Sequence, residues 1–247
     1  MEKLMYLVWL PEGTAPEVVR STMVDDAGAR LLALDPVALT MDLDDEHAQV
    51  PPPLPPTDGE PQVRAIVSIW LARCDDRGPF EEVLRDVATT VHGYVVAESL
   101  YDDYGDTEHA GPRDWPDGDR SPAVLTCSFF PRKRGLSHAD WIDYWHTEIS
   151  PMSAEVQPRM RYVRNAVARP VTPGAPPYDG IVEEAWPSGQ HIVDPMLFYN
   201  AAGDPDRMNA NITRMIEHIN EFIDLDAMRN NTMSEWILKS PPWARTR

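Results

Sequence analysis

The sequence contains the same order of predicted secondary-structure elements twice, and this repeat limits the folds open to the chain. In the first half, apolar periodicity predicts a strand at Leu4–Leu10, a helix at Ala15–Leu34, strands at Val37–Leu43 and "VRAIVSIWLA", a helix at Pro79–Val91 and a strand at "YVVAESLY". In the second half, the same order is predicted over "AVLTCSFF", Ser137–Ile149, "RYVRNAVARP", "GIVEEAW", Asp204–Ile223 and "TMSEWIL". A β-α-β-β-α-β order is typical of the ferredoxin-like unit, whose helices cover one face of an antiparallel sheet. Two repeats leave two bare sheet faces, so we predict an α+β fold in which these faces pack against each other.

An irregular segment separates the two repeats. Residues 101–122 are rich in Asp, Gly and Pro and have no apolar period, which is typical of a connector. We therefore place an N-terminal ferredoxin-like half at residues 1–103, a connector at 104–122 and a C-terminal half at 123–247. The halves share a pattern but little identity, which suggests that one retained a site while the other became scaffold.

Charge and cysteine content exclude several classes of function. The 22 Lys and Arg residues face 40 Asp and Glu residues, and the resulting net charge of -18 repels both nucleic acid and anionic membranes. The two cysteines, Cys74 and Cys127, lie far apart and indicate neither a disulfide framework nor a metal site. The apolar run Leu4–Leu10 is too short to span a membrane. A cytoplasmic protein without nucleic-acid or membrane partners is expected.

The stretch "WIDYWHTEISPM" forms the middle and end of a predicted helix whose phase is fixed by Ser137, a favourable N-cap. On that phase one arc of the helix is apolar, and His146 lies at the edge of the arc. The arc consists of Trp141, Ile142, Trp145, Ile149 and Met152. The tryptophans are predicted to be core residues, and Ser150-Pro151 is predicted to end or kink the helix. A histidine beside an apolar cavity can act as a general base near pH 7, although a purely hydrogen-bonded role is equally consistent with the pattern.

Charged residues within the strands provide further candidates. Tyr162 and Arg164 share one face of their strand, whereas the adjacent Glu183 and Glu184 must face opposite sides of theirs. One of these glutamates therefore points inward. A buried carboxylate must be paired or protonated, so it either forms a salt bridge with Arg164 or serves as an acid or base of raised pKa. Glu235 in the last strand is a weaker candidate of the same kind.

Cofactor signatures are not evident in the sequence. It has no His-x-x-x-His, no GxGxxG motif after a strand and no P-loop. We therefore expect no metal and no cofactor.

The second half resembles the EthD domain family of the dimeric α/β-barrel superfamily. The resemblance covers residues 123–238 and rests on "GLSHADWIDYWHTEISPM", "QPRMRYVRN", "YDGIVEEAWP" and "FYNAAGD". It implies that the two repeats form an intrachain dimeric α/β-barrel with chemistry like that of polyketide cyclases and dehydratases, cofactor-free monooxygenases or, more distantly, haem proteins. EthD domains typically have a histidine four residues after the tryptophan and two before the proline. Between Trp145 and Pro151 this position is Ile149, and His146 lies three positions earlier.

Together, the residues and the resemblance predict a cofactor-free lyase, cyclase or dehydratase acting on a hydrophobic aromatic or polyketide-like carbonyl compound. His146 would be the base, Arg164 or Tyr162 the oxyanion partner, and Glu183 or Glu184 the orienting carboxylate. The substrate cavity would be lined by Trp141, Trp145, Met152 and Trp186. The main alternative is a non-catalytic accessory protein that binds an apolar small molecule; a monooxygenase or haem binder ranks lower. Whether the chain also forms a homo-oligomer is left open.

Overall fold

A computed structural model describes residues 1–56 and 59–243. The strands are β1 Glu2–Trp9, β2 Ala38–Leu43, β3 Ala65–Leu71, β4 Thr90–Asp102, β5 Val124–Phe130, β6 Arg161–Pro170, β7 Gly180–Trp186 and β8 Arg229–Lys239. The α-helices are α1 Pro16–Arg20, α2 Ala29–Ala33, α3 Gly78–Val87, α4 His138–Tyr144, α5 Ser150–Val156, α6 Gln190–Val193, α7 Pro195–Phe198 and α8 Pro205–Phe222. Two π-helical stretches, Ser21–Gly28 and Trp145–Ile149, join α1 to α2 and α4 to α5.

All eight strands form one closed antiparallel barrel, in the order β1-β3-β2-β8-β5-β7-β6-β4. The four strands of each half are contiguous in this ring. The halves meet at two junctions, β2 with β8 and β4 with β6, where Asp42 lies opposite Glu235 and Ser99 opposite Arg164. The predicted α+β class and the packing of both halves into one barrel are confirmed. Because strands of both halves pair at each junction, the two four-stranded sheets form one continuous ring.

Apolar side chains form separate cores inside and outside the barrel. The interior core includes Met5, Leu7, Phe129, Ile181 and Met233, which alternate along their strands with outward-facing residues. Outside the barrel, the helices of the first half pack on Leu39 and Met41, and those of the second half pack on residues such as Phe130 and Val182. The sheet is therefore buried on both faces over much of its area.

The helix of the second half starts as predicted but does not end at Ser150-Pro151. The Ser137 hydroxyl accepts a hydrogen bond from the backbone N–H of Asp140, 3.1 Å away, which caps the first turn. The chain then continues through the π-helical stretch into α5 and ends at Val156. Proline has no N–H to donate, and the Ser150 hydroxyl instead donates to the Trp145 carbonyl at 2.9 Å. A π-helical turn with a serine hydroxyl thus accommodates Pro151 within the helix.

Irregular segments cover the two ends of the barrel. At the end where β1 finishes, the proline-rich segment is attached by Trp9, whose indole N–H donates to the Pro61 carbonyl at 2.9 Å, and by Asn231, which donates to the Val63 carbonyl. At the opposite end, Tyr104 from the predicted connector reaches into the barrel and donates to Glu235 at 2.7 Å. Each end of the interior is therefore partly covered by one of these segments.

In the described ranges, 1–56 and 59–243, no helix has the length and apolar character needed to cross a membrane. The run Leu4–Leu10 lies largely in strand β1, as predicted.

We predict that residues 120–247 expressed alone will aggregate. Without the first half, β6 loses its partner β4 and β8 loses its partner β2, which leaves two open strand edges and a bare interior face. Size-exclusion chromatography should show large species, and co-expression with residues 1–119 should restore a soluble complex. A monomeric fragment that unfolds cooperatively would contradict the dependence on the junctions.

Candidate functional site

The layer between the second-half helices and the sheet contains most of the predicted site residues. Trp141 and Trp145 are fully buried there, and the Trp141 ring stacks on Phe222 with ring centres 5.6 Å apart. Met152 is buried in a neighbouring cluster with Val156 and Met215. The two tryptophans are therefore core residues, as predicted, and Met152, which we predicted to line a substrate cavity, is also buried.

Tyr162 lies at the centre of a buried polar group in this layer. Its hydroxyl accepts a hydrogen bond from the Trp145 indole N–H at 2.9 Å, and the guanidinium of Arg159 lies 4.0 Å from its ring centre. Arg159 also forms an ion pair with Glu184 at 2.8 Å. Burial raises the pKa of Tyr162. The tyrosine is therefore neutral at physiological pH.

Glu184 is bound from both sides. In addition to Arg159, it accepts a hydrogen bond from the Thr126 hydroxyl at 3.1 Å, and that hydroxyl in turn accepts one from the Trp186 indole at 2.9 Å. The Trp186 ring stacks on Phe198. Glu184 and Trp186 are thus brought close to Tyr162, but the glutamate is already neutralised by Arg159.

Arg164 is a buried cation without an ion-pair partner in the described part of the chain. Its side chain, 7% exposed, donates to the hydroxyls of Ser150 at 2.9 Å and Ser99 at 2.7 Å, and its Nε is buried without a partner. Burial lowers the pKa of the guanidinium, which nevertheless stays charged at neutral pH. The ring centre of Tyr101 lies 5.1 Å from the guanidinium carbon. The arrangement leaves a positive charge available to an anionic group.

His146 lies on the exposed side of the π-helical stretch. It is close enough to Arg164 for the guanidinium charge to affect the protonation of the imidazole. Burial and then the charge of Arg164 lower the pKa of His146. It has no hydrogen-bond partner among the described residues, so the predicted orienting role of Glu183 or Glu184 is wrong. Each of these carboxylates forms an ion pair with another residue, Glu183 with Lys3 and Glu184 with Arg159. We predicted that His146 lies at the edge of a cavity, but it lies at the surface near Arg164.

Glu183 and Glu184 point to opposite sides of β7, as predicted, but neither pairs with Arg164. Glu183 points into the barrel, where it binds the ammonium of Lys3 at 3.2 Å and the side-chain amide of Asn165 at 2.8 Å. Arg164 cannot reach it because alternation along β6 turns Asn165 inward and Arg164 outward. The expected internal salt bridge therefore exists with Lys3 as the cation.

The barrel interior holds a charged cluster that the sequence patterns did not reveal as a unit. Lys3 also binds Glu98 at 2.7 Å, and Arg161 binds Glu235 at 2.8 Å. Asp42 is fully buried in the same interior, and one of its carboxylate oxygens has no partner. Burial, followed by the charges of Glu183 and Glu235, raises the pKa of Asp42 well above its usual value. A signal existed in the sequence, since Lys3 and Asp42 are charged residues within largely apolar strands.

The pKa values of Lys3 and Glu183 follow from their pairing. Burial opposes the charge on Lys3, but Glu183 and Glu98 outweigh it and raise the pKa of the ammonium. Burial likewise opposes the charge on Glu183, but Lys3 and Arg161 outweigh it and lower the pKa of the carboxyl. The pairing thus favours the charged forms of Lys3 and Glu183, whereas the surroundings of Asp42 favour its protonated form.

The cavities found lie elsewhere. Four cavities border the proline-rich segment, residues 49–61, and none of them is lined by the predicted site residues. Within residues 1–56 and 59–243, no group of three or more His, Cys, Asp or Glu side chains is arranged to hold a metal ion. The candidate site is thus a compact cluster at the edge of the helix layer, around Arg164, His146 and Tyr162.

Comparison with known proteins supports the fold and not a specific activity. No protein-family model and no curated protein sequence matches the chain. Among solved structures, the chain is similar to an anthrone oxidase-like protein with a TM-score of 0.54 and 12% identity, over 97% of this chain and 94% of that one. It is also similar to a presumed monooxygenase from Fusobacterium nucleatum, with a TM-score of 0.50 and 10% identity, over 96% of this chain and 92% of that one. The chain therefore shares the dimeric α/β-barrel fold with these proteins.

We predict that Trp145→Ala will destabilise the protein by about 3 to 5 kcal/mol, because it leaves a cavity in the buried layer and removes the hydrogen bond to Tyr162. Trp145→Phe should cost less, since an aromatic ring remains. Urea denaturation of both variants measures the difference in unfolding free energy. A loss below about 1 kcal/mol for the alanine variant would refute this packing role.

We predict that Asp42→Asn will stabilise the protein increasingly as pH rises. Because the folded-state pKa of Asp42 lies above the unfolded value of about 3.9, the native protein loses up to about 1.4 kcal/mol per pH unit between the two values. An asparagine cannot ionise and avoids this loss. From pH 4 upward, the unfolding free energy of Asp42→Asn should diverge from that of the native protein. The control Asp119→Asn, at an exposed position, should give a curve parallel to that of the native protein. Parallel curves for Asp42→Asn would indicate a normal pKa.

Proposed function

We propose that the protein is a small-molecule enzyme that removes a proton next to the carbonyl group of a hydrophobic compound and holds the resulting oxyanion at Arg164. The observation that carries this proposal is the buried guanidinium of Arg164, which binds only the Ser150 and Ser99 hydroxyls and has no carboxylate within ion-pair distance among the described residues. A buried cation without a counter-ion is costly in a folded protein. An enolate oxygen would compensate that charge and be stabilised by it during the reaction.

His146 is proposed as the base. Its lowered pKa keeps the imidazole neutral at pH 7, which is the state that accepts a proton. Once the histidine is protonated, the charge of Arg164 favours release of the proton to water through the exposed face of the helix. The oxyanion partner is assigned to Arg164 and not to Tyr162, because the tyrosine hydroxyl is fully buried and bound to Trp145.

Aromatic side chains beside Arg164 favour a flat apolar substrate. Tyr101 is partly exposed, lies against Arg164, and contacts Tyr162 edge to face at 5.8 Å.

We assign the second half to the EthD type on the sequence resemblance. We assign each half to a ferredoxin-like repeat because the strands of each half follow the order 4-1-3-2. On this assignment the halves are residues 1–103 and 123–247, and the substrate is a carbonyl compound of aromatic or polyketide-like type.

The fate of the anion separates two candidate activities. A lyase, cyclase or dehydratase would eliminate a group from the anion or close a ring. A cofactor-free oxidase would let the anion react with O₂, as in the balanced conversion of anthrone and O₂ to anthraquinone and water. The second candidate is favoured by the similarity of this fold to an anthrone oxidase-like protein and a presumed monooxygenase. Both activities need the same proton abstraction.

We predict that the protein will accelerate proton exchange at the CH₂ group of anthrone in D₂O, and that His146→Ala and Arg164→Gln will each lower this rate by about 10² to 10⁴. Proton NMR measures the exchange, and an oxygen electrode run in parallel reports oxidation. His138→Ala is the matched control, an exposed histidine in the first turn of the same helix. Added imidazole should partly restore the His146→Ala rate. Unchanged exchange in both site variants would refute the catalytic assignment, and tight binding without exchange would indicate an accessory binding protein.

The exchange rate should also depend on pH in a defined direction. Because a lowered histidine pKa means that the neutral base forms below pH 6.5, the rate should rise with pH through that region and level off by about pH 7. His146→Ala should lack this step. A rate that rises only above pH 8 would assign the base to another group.

A further inference from the structure

Tyr101 of the first half covers the guanidinium of Arg164. The centre of the Tyr101 ring lies 5.1 Å from the guanidinium carbon, within the range of a cation–π contact. The same ring contacts Tyr162 edge to face, with the ring centres 5.8 Å apart. Arg164 is only 7% exposed, and it lines none of the four cavities beside the proline-rich segment. A ligand therefore reaches the guanidinium only when one of the groups that cover it moves.

The backbone of β4 is irregular at Tyr101. Leu100 and Asp102 are each paired with a residue of β6, whereas Tyr101 between them is not. The pairing of β4 with β1 ends at Val96, so Tyr101 has no opposite residue in the register of either neighbouring strand. A bulge of this kind bends its strand and redirects a side chain, and bulges are frequent next to active sites. Tyr101 thus projects from a point where the ladder is interrupted.

Among the groups around Arg164, the ring of Tyr101 is held without hydrogen bonds. The Ser150 hydroxyl accepts from Arg164 and donates to the Trp145 carbonyl, each at 2.9 Å, and the buried Tyr162 hydroxyl accepts from the Trp145 indole. The Tyr101 hydroxyl bonds to no described residue, and the side chain is partly exposed. Rotation of Tyr101 toward water would break only its ring contacts, whereas movement of Ser150 or Tyr162 would break hydrogen bonds.

We propose that Tyr101 selects the ligands of Arg164, because its ring leaves the guanidinium when a flat aromatic ring of the ligand takes the same place. The ligand then replaces the cation–π contact with Arg164 and the edge-to-face contact with Tyr162 by equivalent contacts of its own. An aliphatic ligand of similar size breaks both contacts and replaces neither. This inference rests on the proposed function for the class of substrate that enters the site, but the exchange of rings itself needs no turnover.

Chemical modification of Arg164 measures how readily its guanidinium is uncovered. Phenylglyoxal and 2,3-butanedione both condense with accessible arginines, but only phenylglyoxal carries an aromatic ring. Peptide mass spectrometry gives the modification rate of Arg164 relative to that of Arg134, which is exposed. In the native protein this relative rate should be higher with phenylglyoxal than with butanedione. Tyr101→Ala should raise the relative rate with butanedione by about two- to thirtyfold, the value of one cation–π contact, and raise the rate with phenylglyoxal less.

Two control variants accompany these measurements. Tyr101→Phe keeps the ring and removes only a hydroxyl without a described partner, so both rates should match those of the native protein. Tyr199→Ala removes another partly exposed tyrosine of the helix layer and should leave the Arg164 rates unchanged. Melting temperatures confirm that each variant folds, and the comparison of the two reagents on the native protein decides the question without any variant.

The outcomes separate this inference from the proposed activity. Equal relative rates of the two reagents at Arg164 in the native protein would overturn the selection by Tyr101. Unchanged rates in folded Tyr101→Ala, or rates in Tyr101→Phe as high as in Tyr101→Ala, would also overturn it. A native protein that shows the expected modification pattern but does not exchange the CH₂ protons of anthrone would refute the proposed function alone.

Discussion

Closure of the barrel at the β2–β8 and β4–β6 junctions is the constraint on which the rest of the structure depends. Each junction pairs strands from different halves, and together they turn two open sheets into one ring without edges. Most of the interior is thereby removed from water, and the segments that carry Pro61 and Tyr104 lie over its two ends. Any polar side chain that points inward must then find its partners inside the barrel.

The charged cluster follows from that enclosure. Lys3 and Arg161 each bind carboxylates across the interior, so two cations are shared among more than two acidic groups. Attraction across a low-dielectric interior offsets the cost of burying these charges only where opposite charges are close. Asp42 forms no ion pair within the described part of the chain, and burial together with the charges of Glu183 and Glu235 raises its pKa well above the usual value. The cluster contains residues of both halves, so it forms only when the ring is closed.

The sequence predicted what depends on local periodicity and missed what depends on pairing between distant strands. The order of elements, the Ser137 cap and the opposite orientation of Glu183 and Glu184 can all be read from neighbouring residues. The partner of each glutamate could not, because Lys3 lies 180 residues from Glu183 in the chain and strand register decides their contact. Arg159, just before β6, was missed because nothing in its local sequence indicates that it will be buried beside Tyr162.

The two halves differ at the candidate site, where their equivalent strands face the helices. Strand β6 holds the same place in the second half as β2 in the first. Facing the helices, β2 presents Leu39 and Met41, both fully buried in an apolar core, whereas β6 presents Tyr162 and Arg164. Apolar residues at this place stabilise the barrel and can do little else. A buried guanidinium there costs stability, and it lies where Ser99 of the first half meets Ser150 of the second. The second half thus has polar side chains at a position where the first half has only apolar packing.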